Sequence, residues 1–199
     1  MPPTYHHGNL REALLTCAVR ILDETGIEQL SLRALARELE VSHAAPLRHF
    51  KTKTDLLAAL AIEGAQRLLD GVRAASDGLQ GRARLFAISA AYIDWAITNP
   101  AYYQVLRNPD VMRHAPNRLD QLLTDFAQGQ RDAIRAAQSQ GWRADESLEA
   151  VFLHLTALTV GSAVVATDPT YTRPQGVTVN RIDVLAPVAQ YLGLDAKTP

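Results

Sequence analysis

The 199-residue sequence predicts an all-α protein with about nine helices. Two observations support this fold class. Apolar residues recur at spacings of three and four along the chain, and no stretch shows the alternation of a strand. Capping residues and Gly or Pro stops separate the periodic segments. We expect a small three-helix domain over residues 1–51 and a larger helical domain over residues 52–199.

The first two helices are marked by their ends. Asn9 and Glu12 form a capping box before a helix over about residues 10–25, and Gly26 supplies a left-handed stop. Ser31 is the predicted N-cap of the second helix. That helix is expected to bury Leu32, Leu35, Ala36 and Leu39.

A break at Glu40-Val41 precedes a short third helix, predicted over about residues 43–49 with Ser42 as its N-cap. Thr52 and Asp55 form a second capping box, which opens a long fourth helix with a continuous apolar stripe.

The rest of the chain continues in helices over about residues 82–98, 100–107, 116–140, 146–167 and 181–192. Their ends follow from Asn99-Pro100, from Gly141, and from an Asn180–Asp183 capping box.

Composition excludes several kinds of site. The net charge is −1, so any nucleic-acid function must rest on a local arrangement of charge. The lone cysteine, Cys17, excludes an internal disulfide and a cysteine-based metal cage. Residues 1–12 show no signal peptide, and the longest apolar run, 151–166, looks too short and too interrupted to cross a membrane. These features favour a cytoplasmic protein without a membrane partner.

The segment from Leu30 to Leu56 has the pattern of a helix-turn-helix, because two helices are separated by three or four residues and the second is short and expected to be exposed. Residues 41–53 contain Arg48, Lys51 and Lys53 but no acidic residue. A local excess of cations is what contact with DNA phosphates requires.

This segment resembles the N-terminal domain of the tetracycline-repressor (TetR) family of transcriptional regulators. The resemblance is strong over about residues 9–62. The positions that match the family motif are Ser31, Arg33, Leu35, Ala36, Val41, Ser42, His49, Phe50, Lys53 and Leu56.

The resemblance implies a role for each DNA-facing residue. Phosphate contacts are expected from Ser31, Ser42, His49 and Lys53, since hydroxyls at helix N-termini and cations suit phosphate. Base-edge contacts are expected from His43, Ala44 and Ala45. Arg33 and Arg48 could reach either backbone or base.

Three residues depart from the family pattern. Glu40 replaces the usual turn glycine, which implies either a strained left-handed residue or a different turn. Leu47 stands in the recognition helix where a tyrosine usually contacts phosphate. Pro46 lacks an N–H and is expected to loosen the first turn of the third helix.

The resemblance further implies a C-terminal domain that binds a small ligand and dimerises through its last two helices. The segment 148–166 is apolar nearly all round and therefore needs cover from more than one side. The expected effector is apolar or aromatic, since bulky apolar side chains dominate the candidate lining. The candidate pocket residues are Phe86, Tyr92, Trp95, Tyr103, Leu106, Phe126, Phe152 and His154.

Together these features indicate a repressor that binds a palindromic operator in double-stranded DNA as a homodimer and releases it when ligand binds. Two alternatives stay open: a small helical enzyme, and an interaction module that keeps the motif only as packing. No catalytic residue, cofactor or metal site is predicted, because no nucleophile–base pair, phosphate-binding glycine loop or metal-ligand spacing is present.

Overall fold

A computed structural model describes residues 10–114 and 116–195, and its regular structure in these ranges is helical, as predicted. The described residues contain nine α-helices: α1 (Leu10–Thr25), α2 (Leu32–Glu38), α3 (Lys53–Ser76), α4 (Gly81–Thr98), α5 (Pro100–Leu106), α6 (Pro109–Arg113), α7 (Asn117–Ser139), α8 (Leu148–Thr167) and α9 (Arg181–Leu192). Short 3-10 turns lie at Ile27–Gln29, Pro46–Arg48, Pro169–Tyr171 and Arg173–Gln175.

The chain packs into two compact units. The first unit holds the described residues up to Ala65 together with Pro100–Asp120, and the second holds Gln66–Asn99 and the described residues from Gln121 onward. Helix α3 belongs to both, because its first half lies in one unit and its second half in the other. The domain boundary expected after residue 51 stays a prediction.

The core of the first unit forms where the apolar stripes of α1 and α2 predict it. Leu14, Ala18 and Leu35 are fully buried. The Ser31 hydroxyl accepts a hydrogen bond from the Ala34 N–H at 3.1 Å, which confirms the predicted cap of α2. Gly26 ends α1 with φ 79° and ψ 176°, so its φ is positive as predicted but its ψ lies outside the left-handed helical region. The predicted Asn9 cap lies outside the described residues.

The predicted third helix over residues 43–49 is wrong as an α-helix. Residues 43–45 form a turn, and only Pro46–Arg48 is helical, as a single 3-10 turn. Ala45, not Ser42, occupies the N-cap position, and no side chain caps the turn. Pro46 explains the difference, because it has no N–H to donate to the preceding turn. The five-residue helix α6 was also missed, since its apolar pattern is too short to show a period.

Helix α3 begins at the predicted capping box. The Thr52 N–H donates to Asp55 Oδ2 at 2.9 Å, and the Asp55 N–H donates to Thr52 Oγ1 at 3.1 Å. The helix runs for 24 residues, which corresponds to about 36 Å. Its stripe is buried through Leu56, Leu60 and Leu68.

The second unit is built around the packing of α4, α8 and α9 on one another. Apolar contacts dominate, and a buried hydrogen bond from Thr159 Oγ1 to Ser89 Oγ at 2.9 Å joins α8 to α4. The predicted capping box of α9 is present, since the Asn180 side chain and the Asp183 side chain each accept from the other's backbone N–H.

Helix α8 is long and apolar enough, by length and composition, to cross a membrane, with 20 residues and a mean hydropathy of 1.8. The prediction that this segment is too short to do so is therefore wrong, because the helix extends beyond the apolar run at both ends. Within the chain only 28% of its most apolar 18-residue window is buried. Its apolar surface thus exceeds what α4 and α9 cover.

Candidate nucleic-acid interface

Residues 39–50 connect α2 to α3, and we refer to them as the recognition segment. The segment turns sharply at Glu40, which adopts a left-handed conformation with φ 54°. The Val41 N–H then donates to the Ala36 carbonyl at 2.9 Å and closes the end of α2. Of the two alternatives that the sequence left open for this turn, the structure shows the strained residue.

Two buried residues fix the recognition segment from below. Pro46 is buried, and Phe50 is only 3% exposed. The Phe50 N–H donates to the Pro46 carbonyl at 2.9 Å, so the two anchors are also joined through the backbone. The segment is therefore held in place by side-chain packing and a few turns, with little regular helix.

Most of the residues predicted to face DNA are exposed. The exposed ones are Ser31, Arg33, Ser42, His43, Ala44, Leu47, Arg48 and His49. Ala45, which precedes the buried Pro46, is half-buried. Most of these residues lie on the recognition segment itself, and Ser31 and Arg33 lie at the start of α2.

Lys53 has a different environment from the other candidates. It is half-buried, and its ammonium group donates to the carbonyl of Ile27 at 2.6 Å. This bond ties the first turn of α3 to the 3-10 turn after α1. Because an ammonium has three N–H donors, the remaining two are still able to reach an anion.

Arg11 also lies at this surface, although its place there was not predicted. Its guanidinium lies 5.4 Å from the centre of the Phe50 ring, at the edge of the recognition segment. Arg11 and Phe50 are far apart in sequence, so only the packing of α1 could reveal the contact. Lys51, also exposed, adds a further cation beside Phe50; the charge pattern of residues 41–53 was the signal for it.

Described residues of the second unit line the two concave sites considered next. The first lies between α3, α4 and α7 and has a volume of about 320 Å³; we refer to it as the α3–α4–α7 cavity. The second is a groove of about 570 Å³ between the α3 end, α4 and α9, lined largely by alanine, and we refer to it as the α4–α9 groove.

The predicted pocket residues are distributed among several places. Phe126 lines the α3–α4–α7 cavity and stacks on Tyr92 with 6.0 Å between ring centres, and Phe86 lines the α4–α9 groove. Trp95 is buried on α4. Tyr103 and Leu106 belong to α5 in the first unit.

The two remaining candidates lie on α8 and meet polar partners. Phe152 is covered by the Arg131 guanidinium at 3.8 Å from the ring centre. His154 is exposed, with its ring 5.7 Å from that of Tyr191. Of the predicted pocket residues, Phe126 and Phe86 line the two sites described above; the pocket assignment of the others stays a prediction.

Ionisable groups in the second unit are shifted by local contacts. The Arg131 guanidinium donates to both carboxylate oxygens of Glu149 at 3.1 Å and lowers the pKa of Glu149. Burial raises the pKa of Tyr191. In the first unit, burial likewise raises the pKa of the Cys17 thiol, which suits its place in the core.

Within the described residues, no group of three or more His, Cys, Asp or Glu side chains is placed to hold a metal ion.

Comparison with known proteins identifies the family. Residues 14–60, which contain α2, the recognition segment and the start of α3, match the family described as "Bacterial regulatory proteins, tetR family". The chain is 31% identical over 134 residues to the HTH-type transcriptional repressor Rv1474c of Mycobacterium tuberculosis, a match that covers 65% of this chain and 71% of that protein.

Two further relatives extend the comparison. An uncharacterized HTH-type transcriptional regulator, YobS of Bacillus subtilis, is 28% identical over 49% of this chain and 51% of its own length. A solved structure of a protein of unknown function from Rhodococcus sp. RHA1 is 30% identical, covers 97% of this chain and 99% of that chain, and superposes with a TM-score of 0.78.

The chain spans about half the length of the first curated relatives that it matches. The solved structure from Rhodococcus sp. RHA1, by contrast, matches nearly the whole chain. The chain therefore belongs to the TetR family of bacterial transcriptional regulators.

Proposed function

We propose that the protein is a ligand-responsive repressor that binds a palindromic operator as a homodimer and dissociates from DNA when a small molecule binds its second unit. The observation that carries the proposal is the stretch 41–53, which holds Arg48, Lys51 and Lys53 but no acidic residue. Its exposed side chains lie on a backbone anchored by the buried Pro46 and Phe50. The enzyme alternative does not hold, because the family consists of transcriptional regulators.

In this proposal, the recognition segment enters the major groove. His43 and the methyl groups of Ala44 and Ala45 face base edges, where imidazole nitrogens accept or donate and methyl groups contact thymine. The proline-shortened turn replaces a full recognition helix, so fewer side chains reach the bases than in a regular α-helix. Leu47, exposed at 52%, would add an apolar contact to this surface.

Phosphate contacts would flank the base contacts. The Ser31 hydroxyl accepts from the Ala34 N–H and still has its own O–H to donate to a phosphate oxygen. The side chains of Ser42, His49 and Arg48 are exposed, and none of them caps the observed 3-10 turn, so they are available to phosphate. Lys53 would use the donors that the Ile27 carbonyl leaves unoccupied.

The proposed dimer uses the uncovered faces of α8 and α9. Leu153 is 67% exposed, and Ala157 and Gly161 on the same helix are also exposed. Their spacing of four residues places them on one face of α8, where small side chains permit a second helix to approach closely. Ile182 and Pro187 of α9 are exposed as well. A soluble monomer rarely exposes so much contiguous apolar surface, which supports a second copy as the partner.

The proposed ligand response uses α3. This single helix starts at Lys53 beside the recognition segment and continues into the second unit, where its residues from Leu69 to Ser76 line the α3–α4–α7 cavity. A ligand in that cavity would stabilise a position of α3 in which the recognition segments of the dimer no longer fit the major grooves. The change in DNA affinity cannot exceed the ligand's difference in affinity for the two states.

The DNA-binding part of the proposal is tested with a sequence selected from genomic fragments by the purified protein. We expect Arg48→Ala to weaken binding to selected and unrelated duplexes alike and to flatten the salt dependence by about two units of slope, because the homodimer loses one phosphate contact in each half-site. Fluorescence anisotropy across a salt series measures both quantities.

The matched control is Arg113→Ala, an exposed arginine of α6 that is ion-paired to Asp110, outside the recognition segment. It should leave affinity and slope unchanged. If neither variant changes the slope, or if the wild-type protein selects no DNA, the remaining alternative of a packing module without DNA function is favoured instead.

A further inference from the structure

The α3–α4–α7 cavity differs in chemistry from the apolar pocket that the sequence predicted. One part of its wall is indeed apolar, through Leu69, Val72, Ile88 and Phe126. The first three are almost fully buried, and Phe126 is braced by Tyr92. This part of the wall would contact a compact aliphatic or aromatic portion of a ligand.

Two polar side chains are buried in the same wall. Ser76 is 7% exposed and Gln130 is 8% exposed, and both line the cavity. Neither the Ser76 hydroxyl nor the Gln130 amide has a hydrogen-bond partner among the described residues, and neither group is fully enclosed by protein. Both groups are therefore open to the cavity, where they can donate hydrogen bonds to a ligand and accept hydrogen bonds from it.

The charges around the cavity are balanced. Asp132 is ion-paired to Arg135 at 2.7 Å, and Arg73 lies 3.6 Å from Asp70. Two groups are left without an ionic partner among the described residues. The Arg84 guanidinium has none, and Asp125 accepts only from the neutral amide of Gln121 at 2.7 Å. The lining therefore offers a cation and a carboxylate but no excess of either.

We infer that this cavity binds a small amphipathic molecule with no net charge, whose polar head carries both hydrogen-bond donors and acceptors. The head would meet Gln130 and Ser76, and the apolar body would lie against Ile88 and Phe126. This inference rests on the proposed ligand response for its biological role, and it replaces the purely apolar effector that the sequence suggested.

Three probes with one aromatic body separate the possibilities. 1-Naphthylacetamide has a neutral amide head. 1-Isobutylnaphthalene replaces that amide with an apolar group of the same shape. Naphthalene-1-acetate, the carboxylate of naphthalene-1-acetic acid, carries a net charge. We expect the amide to bind about tenfold more tightly than either of the others. The isobutyl probe leaves Gln130 unpaired, and the carboxylate probe adds a net charge to a lining whose two cations and two carboxylates already balance. Naphthalene fluorescence measures each affinity.

Gln130→Leu identifies the group responsible. It should lower the affinity ratio of amide to isobutyl probe at least tenfold, because the apolar side chain offers no partner to the amide head. In the protein without probe, the same variant should unfold at an equal or higher temperature, since it removes a buried amide that has no protein partner. A lower unfolding temperature would mean that the amide serves the fold, and would overturn the inference.

Ser76→Ala should lower the amide affinity severalfold, and Ser139→Ala is its control. Ser139 lies on the exposed side of α7, and its hydroxyl donates to the Ala136 carbonyl at 2.8 Å, away from the cavity. A preference of the wild-type protein for the isobutyl probe, an unchanged ratio in Gln130→Leu, or no binding of any probe would each overturn the inference.

The probe experiment is independent of DNA. If the probes bind as expected but leave retention on the selected duplex unchanged, the cavity assignment stands and the proposed ligand response fails. If a different compound releases DNA while these probes do not enter the cavity, the ligand response stands and the cavity assignment fails.

Discussion

The recognition segment and helix α8 both expose unusual surfaces, but for opposite structural reasons. The recognition segment has almost no regular helix and is kept in place by Pro46 and Phe50, which are buried beneath its polar, cationic exterior. Helix α8 is regular over its whole length and exposes apolar side chains such as Leu153.

The difference shows how the two surfaces are stabilised. The recognition segment is held within one chain, because Pro46 and Phe50 are buried and most of its exposed side chains are polar or small. Helix α8 is complete as a secondary structure but leaves apolar area in water, at about 25 cal/mol per Å². One surface is therefore expected to depend on a few buried anchors, and the other on a partner.

The largest effect should come from removing an anchor of the recognition segment. Phe50→Ala deletes a side chain that is 3% exposed and should destabilise the protein by about 3–5 kcal/mol, through lost burial and the cavity left behind. Denaturant unfolding measures the change. Leu47→Ala, at an exposed neighbouring leucine, should change stability by less than about 0.5 kcal/mol. Equal effects of the two changes would contradict the anchoring role of Phe50.

A smaller effect, on association rather than folding, is expected at α8. Leu153→Asp puts a charge on the exposed apolar face and should weaken self-association about 30-fold, which corresponds to about 2 kcal/mol. Sedimentation over a concentration series measures it, with Ile97→Asp on α4 as the control for an exposed apolar residue elsewhere in the second unit. If the wild-type protein is monomeric at micromolar concentration, the idea that a second copy covers α8 is wrong.

The smallest effect concerns backbone strain. Glu40→Gly should stabilise the recognition segment by about 0.5–1 kcal/mol, because relief of the left-handed conformation exceeds the entropy that glycine adds to the unfolded chain. Arg143, the other described non-glycine residue with positive φ, is the comparison. Its guanidinium lies 4.0 Å from the Tyr191 ring and is ion-paired to Glu146, so Arg143→Gly should give no gain in thermal unfolding.

Local chemistry made several elements predictable. The caps at Ser31, at Thr52 with Asp55, and at Asn180 with Asp183 form as expected, because each joins groups two or three residues apart. The positive φ of Glu40 was one of two outcomes foreseen at that position. The 43–49 helix failed as a prediction even though Pro46 was noted, since its consequence for the whole turn depends on how the turn packs on Phe50.

The candidate sites were less predictable, because they depend on contacts between distant residues. The bond from Lys53 to the Ile27 carbonyl joins residues 26 apart, and nothing near Lys53 in the sequence signals it. Gln130, on α7, is spaced like many solvated polar residues, so its burial beside Ser76 was missed.

By itself, the sequence determined the helical class, most helix ends and the cationic character of residues 41–53, since these follow from backbone sterics, caps and charge within a few residues of one another. Only the tertiary structure decided which polar groups are buried without a partner, which cation is engaged by a carbonyl, and which apolar face stays uncovered. Those outcomes depend on where water is excluded, and water is excluded where helices from distant parts of the chain pack together.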